Sequence, residues 1–364
     1  MNPGSHTTQQ EATAETHSAG SFAPALGTSS ATPETGVVAF KFGGSSLVGA
    51  ACMLRAALLV REAASRSKVA VVVSAMKGIT DRLLAIARSL AAGCRTDARR
   101  DSEQVFYEHL QVLRDFELEP QENERVLNEL NLLGKDLLAD ASPDVQPSLE
   151  LRAALQDRLA SYGERFAARL FAAALVKSGV NAVPVSSSEF VLTCDTFRNA
   201  RPNMEETLLR GREILLPLFA GGLVPVVTGF IGATRDGRLT TLGRNSSDFS
   251  GALIAHVVRA DELVIWTDVD GIYNANPHES AEAKLLHELS YDEAHALASA
   301  GARVLHAKVL PLAAETEMVV WVRNTFNPQF RGTRIGPCIG RNVARNSSAG
   351  APRGCHNSSI RGEA

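Results

Sequence analysis

The feature that most constrains the fold of this chain is an alternation of short, continuous apolar runs with long helical patterns. Such strands, when they alternate with helices, are typical of a mostly parallel β-sheet that helices cover on both faces. The runs predicted to be strands are 37–42, 69–74, 182–185, 223–228, 262–267 and 318–322. The sequence therefore predicts an α/β fold, in which ligands bind at the carboxyl ends of the strands.

Helical periodicity occupies much of the sequence between these runs. The predicted helices cover 81–92, 102–177 with breaks around 120 and 141–147, and 247–259. Ser46 is a favoured N-cap residue, so we expect a helix to follow it. The apolar stripe of that helix is predicted to be Leu47, Ala51, Leu54 and Leu58.

The two ends of the chain differ in composition from the middle. Residues 1–35 are mostly Ser, Thr, Ala, Gly, Gln and Pro, and residues 337–364 are rich in Gly, Asn, Ser and Arg. Segments of this kind bury too little apolar surface to offset the entropy lost on ordering. We predict two disordered tails that flank a folded domain at 36–336.

Charge and cysteine usage exclude several functional classes. The net charge is −3, from 37 basic and 40 acidic residues, so nothing indicates a nucleic-acid or membrane-surface binder. The five cysteines form no CxxC pair, which favours reduced thiols over a disulfide framework or a zinc site. No apolar run is long enough to span a bilayer, and no Lys or Arg precedes Lys41. We therefore predict a cytoplasmic protein.

Two segments combine small residues with a cation, as anion sites do. Lys41 precedes Gly43-Gly44-Ser45, where a strand is predicted to end and a helix to begin. Two glycines let a backbone approach a phosphate closely. On shape alone, an ordinary strand-to-helix turn with a solvated lysine is equally acceptable. In the second segment, Arg244 precedes a predicted helix start at Ser247, which is interpreted as its N-cap.

Two other segments carry carboxylates. Asp268 and Asp270 follow a predicted strand and could hold Mg²⁺ or a ribose, with Tyr273 beside a base, although Asp270-Gly271 alone favours a plain turn. Glu164 lies in a helical stretch, where an acid is normally a solvated charge.

In this order, the segments resemble the catalytic domain of aspartate kinases, within the amino-acid kinase family. The matching stretches are KFGGSSL at 41–47, VVVSAMKGITDRL at 71–83, GERFAARL at 163–170, GFIG at 229–232, TLGRNSSDFSGALIA at 241–255, WTDVDGIY at 266–273, RVLHAK at 303–308 and VRNTFNPQFRGTRI at 322–335. Eight stretches in the family order make the resemblance highly specific.

The resemblance implies a three-layer αβα sandwich around a mainly parallel, eight-stranded sheet. It implies ATP and Mg²⁺ as cofactors, L-aspartate as substrate, and 4-phospho-L-aspartate and ADP as products, in the first step of lysine, methionine and threonine biosynthesis. A homodimer is one assembly that it allows. The implied catalytic residues are Lys41 and Asp248; the aspartate-binding residues are Ser74, Thr80, Glu164 and Arg244; the ATP-binding residues are Lys41, Gly43, Gly44, Ser45, Thr267, Asp268, Tyr273 and Arg303. No residue is predicted to be a dedicated metal ligand.

The sequence departs from the family pattern at four points. Asn276 and His278 stand in a segment where the family usually has Asp-Pro-Arg, Arg303 replaces a lysine, and Ala307 replaces a proline. No ACT regulatory domain is expected in the segment after 336. Two alternatives stay open: a sister kinase for another substrate such as glutamate, and a catalytically weakened relative that binds without turnover.

Overall fold

Residues 36–142, 148–244, 246–275, 282–299, 305–306 and 308–337 are described in a computed structural model of the chain. The strands within them are β1 (Val37–Phe42), β2 (Lys68–Val73), β3 (Ala182–Val185), β4 (Val224–Thr228), β5 (Ile231–Ala233), β6 (Leu239–Thr241), β7 (Glu262–Thr267), β8 (Ile272–Tyr273), β9 (Leu285–Leu286), β10 (Glu288–Leu289), β11 (Val319–Asn324) and β12 (Thr333–Ile335). The described helices are α1 (Gly49–Ala64), α2 (Ile79–Ala91), α3 (Arg95–Asp115), α4 (Pro120–Asp140), α5 (Leu149–Lys177), α6 (Met204–Ala220), α7 (Ser247–Val257), α8 (Tyr291–Ser299) and α9 (Val309–Glu315).

The main sheet of the described residues contains eight strands in the order β10-β12-β11-β7-β1-β2-β4-β3. The pairs from β11 to β3 are parallel, whereas β12 runs antiparallel to β11. The two remaining pairs, β5–β6 and β8–β9, are small antiparallel ribbons. The predicted mainly parallel, eight-stranded sheet is therefore confirmed.

Alternate side chains of the central strands build two separate cores. In β1, Phe40 and Phe42 face a core that includes residues of α1 to α5, whereas Ala39 faces a core that includes residues of α6 to α9. In β2, Val71 and Val73 belong to the first core and Val72 belongs to the second. A strand buried on both faces needs a continuous apolar run, which explains the sequence pattern. The three layers are confirmed.

The prediction for the first helix is wrong in its start and in its buried face. Ser46 lies in a 3₁₀ turn at Gly44–Leu47, and α1 begins at Gly49 without a side-chain cap. Ser46 Oγ instead shares a hydrogen bond of 2.7 Å with Thr325 Oγ1. The side chains of α1 that are buried are Ala50, Met53, Ala56, Ala57 and Val60. Ala51 and Leu58 of the predicted stripe are exposed, because this helix is apolar on more than one face.

The start of α7 and the whole of α6 show where the local sequence signals were incomplete. The residue that precedes α7 is Ser246, so Ser247 is its first helical residue and not its N-cap. The sequence did not predict α6, which contains Gly211 and Pro217. A Cβ on Gly211 would lie 2.7 Å from Val257 Cγ1, so this glycine permits α6 and α7 to pack closely. The predicted tails lie outside the described residues, apart from Pro337, and stay predictions.

Candidate active site

The carboxyl ends of three neighbouring strands meet at one edge of the sheet. Phe42 of β1 lies in register with Val73 of β2 and Trp266 of β7. Backbone hydrogen bonds join the loops beyond them, because Gly43 N donates to Trp266 O at 3.0 Å and Gly229 N donates to Val73 O at 2.9 Å. Predicted site residues from distant parts of the sequence are therefore adjacent.

Lys41 and Asp248 form the central charge pair at this edge. Lys41 is in β1, and its Nζ lies 2.6 Å from Asp248 Oδ1 in the first turn of α7. Their side chains are 8% and 19% exposed. A Cβ on Gly251 would lie 3.0 Å from Lys41 Cβ, so this glycine lets α7 pack closely against the lysine. A buried ion pair generally adds little to the stability of a protein, whereas charged groups in such positions are common at functional sites.

The glycine turn lies directly beside this pair. A Cβ on Gly43 would lie 3.7 Å from Lys41 Nζ, and a Cβ on Gly44 would lie 2.6 Å from Ala75 O. Gly44 therefore admits no side chain without a shift of the backbone after β2. Ser45 follows in the 3₁₀ turn and is half-buried. The turn can present backbone N–H groups to an anion, as predicted for Gly43, Gly44 and Ser45.

Glu164 in α5 is a buried carboxylate, contrary to the expectation from its local sequence. It is only 3% exposed. A Cβ on the preceding Gly163 would lie 2.6 Å from Ala75 Cβ, which shows how closely the helix approaches the end of β2. Burial raises the pKa of Glu164 to about 8, while the backbone N–H of Ala75, its own amide and the charge of Lys41 oppose that rise.

One carboxylate oxygen and two hydroxyl oxygens around this edge are buried without a hydrogen-bond partner among the described residues. They are Glu164 Oε2, Ser74 Oγ and Ser246 Oγ. Buried polar groups are nearly always paired, so an unpaired group needs an explanation such as a bound ligand. One carboxylate and two hydroxyls suit a ligand that carries both an ammonium and a carboxylate. Ser246 was not predicted as a site residue, although the GRNSSD stretch contains it.

Arg244 and Thr80 lie on the solvent side of the site. Arg244 is exposed, and its guanidinium donates to Asp81 Oδ1 at 2.7 Å. Asp81 lies in the first turn of α2 beside Thr80, which is half-buried. An acidic ligand would therefore compete with Asp81 for Arg244. Asn245, the next residue, is outside the described part of the chain.

The predicted nucleotide residues follow β7. Thr267 is half-buried at the end of β7, Asp268 is exposed, and Tyr273 lies in β8. The carboxylate of Asp270 already has hydrogen-bond partners, because the side-chain amides of Asn324 and Asn327 both donate hydrogen bonds to its Oδ1. Asp268 is thus the more available carboxylate of the two. The predictions for Arg303, Asn276, His278 and Ala307 concern residues outside the described part of the chain.

Sequence reasoning also missed two residues that shape the site. Phe230 has a φ of 67°, which is uncommon for a side chain of this size and is typical of functional sites. Its backbone N–H donates to Ser250 Oγ of α7 at 2.8 Å. Asp157 of α5 accepts hydrogen bonds of 2.8 Å from the backbone N–H groups of Arg198 and Thr241. Its carboxylate therefore connects α5 to β6, the strand that ends three residues before Arg244.

Comparison with known proteins places this arrangement in a family. The sequence model of the amino acid kinase family matches residues 36–324, which include the predicted site residues. The chain belongs to the amino acid kinase family. The glycine turn, the lysine–aspartate pair and the buried glutamate described above lie within that matched region.

Similar proteins include several aspartokinases. The chain is 34% identical over 299 residues to lysine-sensitive aspartokinase 3 of Escherichia coli. The aligned region covers 82% of this chain and 64% of the relative. It is 30% identical to an aspartokinase of Schizosaccharomyces pombe, over 88% of this chain and 62% of the relative. The structure of E. coli aspartokinase III with aspartate and ADP superposes with a TM-score of 0.73 at 31% identity, covering 84% of this chain and 65% of that one. The chain therefore spans less than two thirds of these relatives.

The described residues contain no group of three or more His, Cys, Asp or Glu side chains that could hold a metal ion. No helix among them has the length and apolar character needed to cross a membrane.

Proposed function

We propose that the chain transfers the γ-phosphoryl group of ATP to the side-chain carboxylate of L-aspartate. The observation that carries this proposal is the buried carboxyl of Glu164, whose Oε2 has no hydrogen-bond partner among the described residues and which lies within the electrostatic influence of Lys41. A buried carboxylate is best stabilised by a cation that arrives with the ligand, and the ammonium of an amino acid supplies one. The likeness to aspartokinases supports aspartate as that amino acid.

The reaction needs little acid–base chemistry from the protein. The side-chain carboxylate of aspartate has a pKa of about 3.9, so it is an ionised nucleophile at neutral pH. One of its oxygens forms a bond to the γ-phosphorus, the bond from that phosphorus to the β–γ bridging oxygen breaks, and ADP leaves with the electron pair. The protein must align the reactants and neutralise the charge of the phosphoryl group.

Each of these tasks is assigned to residues at the sheet edge. Lys41 contacts the transferring phosphoryl group, and Asp248 holds the Lys41 ammonium in place. The N–H groups of Gly43, Gly44 and Ser45 bind phosphate oxygens. Glu164 binds the ammonium of aspartate, and Ser74, Thr80 and Arg244 bind its carboxylates. Thr267, Asp268, Tyr273 and Arg303 bind the nucleotide.

Mg²⁺ fits this site as an ion that arrives with ATP. Mg²⁺ usually takes one or two protein carboxylates and completes its shell with phosphate oxygens and water. The exposed carboxylate of Asp268, which accepts a hydrogen bond of 3.3 Å from Thr267 Oγ1, can supply such an oxygen. The ion would lower the negative charge of the phosphates that Lys41 faces.

Several further expectations belong to the same proposal. They are a role in the first step of lysine, methionine and threonine biosynthesis, a cytoplasmic location, assembly as a homodimer, and a catalytic domain at 36–336 flanked by disordered tails. The resemblance to aspartate kinases and the composition of the sequence support them.

The proposal is tested by ADP release in a coupled assay with saturating ATP and Mg²⁺. Turnover with L-aspartate that clearly exceeds turnover with L-glutamate is the expected result. Equal or faster turnover with glutamate would favour a sister kinase and contradict the aspartate assignment. ATP binding without turnover of either amino acid would instead favour the weakened relative that binds without catalysis.

A further inference from the structure

A second cation lies at the same edge of the sheet as the Lys41–Asp248 pair. Lys308 immediately precedes α9, and its Nζ lies 5.6 Å from the centroid of the Phe249 ring. Phe249 directly follows Asp248 in the first turn of α7. Helices α7 and α9 each precede a parallel strand, so both begin at the carboxyl edge where the site lies.

Lys308 differs from Lys41 and Arg244 in having no acidic partner among the described residues. No carboxylate in the described part of the chain lies within 4.0 Å of its ammonium, whereas Lys41 pairs with Asp248 and Arg244 pairs with Asp81. Those two pairs are close to neutral. Lys308 is half-buried, so its charge is partly desolvated, and the face of the Phe249 ring offsets part of that cost.

His306 adds no competing positive charge near neutral pH. Its ring centroid lies 6.3 Å from that of Phe249, on the same aromatic side chain that Lys308 contacts. Burial and then the charge of Lys308 lower the pKa of His306, while Asp248 opposes this effect. The neutral ring can accept a hydrogen bond, and the backbone N–H of Lys308 lies 3.3 Å from its Nδ1. His306 thus fixes the backbone from which the Lys308 side chain extends.

We propose that Lys308 binds the phosphate chain of the nucleotide. This inference rests on the proposed function, because it assigns one further residue to the nucleotide-binding part of that site. A nucleoside triphosphate carries several negative charges, and the Lys41–Asp248 pair supplies almost no net charge to match them. A lysine on a flexible stem is a common point-charge ligand for phosphate. The Phe249 ring holds the ammonium near the site until the phosphates arrive.

The test compares nucleotides that differ in the number of phosphates. Binding of a non-hydrolysable ATP analogue, ADP and adenosine is measured by calorimetry with the wild-type chain and with Lys308→Met. The charge-free variant should bind the ATP analogue roughly 10- to 100-fold more weakly, with adenosine binding unchanged. Lys308→Arg should restore most of the affinity. Lys68→Met is the matched control, since Lys68 is exposed at the opposite end of β2.

The outcomes separate this inference from the proposed function. If the wild-type chain binds the ATP analogue and Lys308→Met binds it equally well, the role of Lys308 is refuted and the kinase proposal stands. An equal loss for adenosine and the ATP analogue would also refute it, because a packing defect does not depend on phosphate. If the wild-type chain binds no nucleotide, both proposals fail. Lys308→Gln provides the same comparison if thermal melting shows that Lys308→Met is unfolded.

Discussion

Binding of aspartate should depend strongly on pH through Glu164. With a pKa of about 8 in the ligand-free protein, this buried carboxyl is mostly protonated at neutral pH and cannot neutralise an ammonium. The ionised fraction rises from roughly 1% at pH 6 to roughly 50% at pH 8, and the apparent affinity scales with that competent fraction. The dissociation constant for aspartate should therefore fall by about 50-fold over this range.

Glu164→Gln is the variant that isolates this effect. It keeps the shape of the side chain but has no ionised form, so its aspartate affinity should be weak and nearly independent of pH between 6 and 8. Calorimetry in two buffers with different ionisation enthalpies should show proton release on aspartate binding to the wild-type chain only. Glu124→Gln, which changes an exposed acid of α4, is the control. A flat pH profile in the wild-type chain would refute the reasoning.

The same carboxyl should lower stability at alkaline pH. The folded-state pKa of about 8 lies above the ordinary value of 4.5, so the folded protein binds more protons between these values. The free energy of unfolding should therefore fall as pH rises through that window. At pH 8 and without ligand, Glu164→Gln should unfold at a higher denaturant concentration than the wild-type chain. Its free energy of unfolding should be larger by at most on the order of 4 kcal/mol. Lower stability of the variant at pH 8 would contradict the burial argument.

Three further substitutions test the other parts of the site. Lys41→Met should lower kcat by roughly 100- to 1000-fold with a small change in the KM for aspartate, and steady-state kinetics on protein shown to be folded by circular dichroism would measure this. Gly44→Ala should lower the free energy of unfolding by about 1–3 kcal/mol in denaturant titrations, because its Cβ would lie 2.6 Å from Ala75 O. Asp157→Asn should cost about 1–3 kcal/mol by the same measurement, since its carboxylate accepts from two backbone N–H groups and from the Thr241 hydroxyl.

The sequence predicted the central strands well because their signal is local. The bounds of β1 and β7 agree with the predicted runs, since a strand covered on both faces is continuously apolar and ends where polar residues or glycine begin. The carboxyl-edge position of the site followed from the same pattern. These features need no knowledge of distant contacts.

The parts that could not be predicted depend on contacts between distant residues. Ser46 is of a residue type that is favoured at N-caps, but its hydroxyl forms a hydrogen bond with Thr325, which lies 279 residues away in the sequence. Glu164 has the local sequence of a solvated helix acid, but it is buried where α5 approaches the end of β2 at Ala75. Its role was inferred from the family resemblance and not from its spacing. The Ser246 hydroxyl lies in a family-matching stretch, but its lack of a hydrogen-bond partner depends on the folded surroundings and is not visible in the sequence.

The central claim is that this chain forms an acyl phosphate on aspartate at the Lys41 site. The most direct measurement incubates the chain with ATP, Mg²⁺, L-aspartate and hydroxylamine and quantifies aspartyl hydroxamate. Hydroxamate that requires both ATP and aspartate, and that falls by roughly two orders of magnitude in Lys41→Met, is the predicted result. No hydroxamate from the wild-type chain, or near-normal yield from Lys41→Met, would contradict the account.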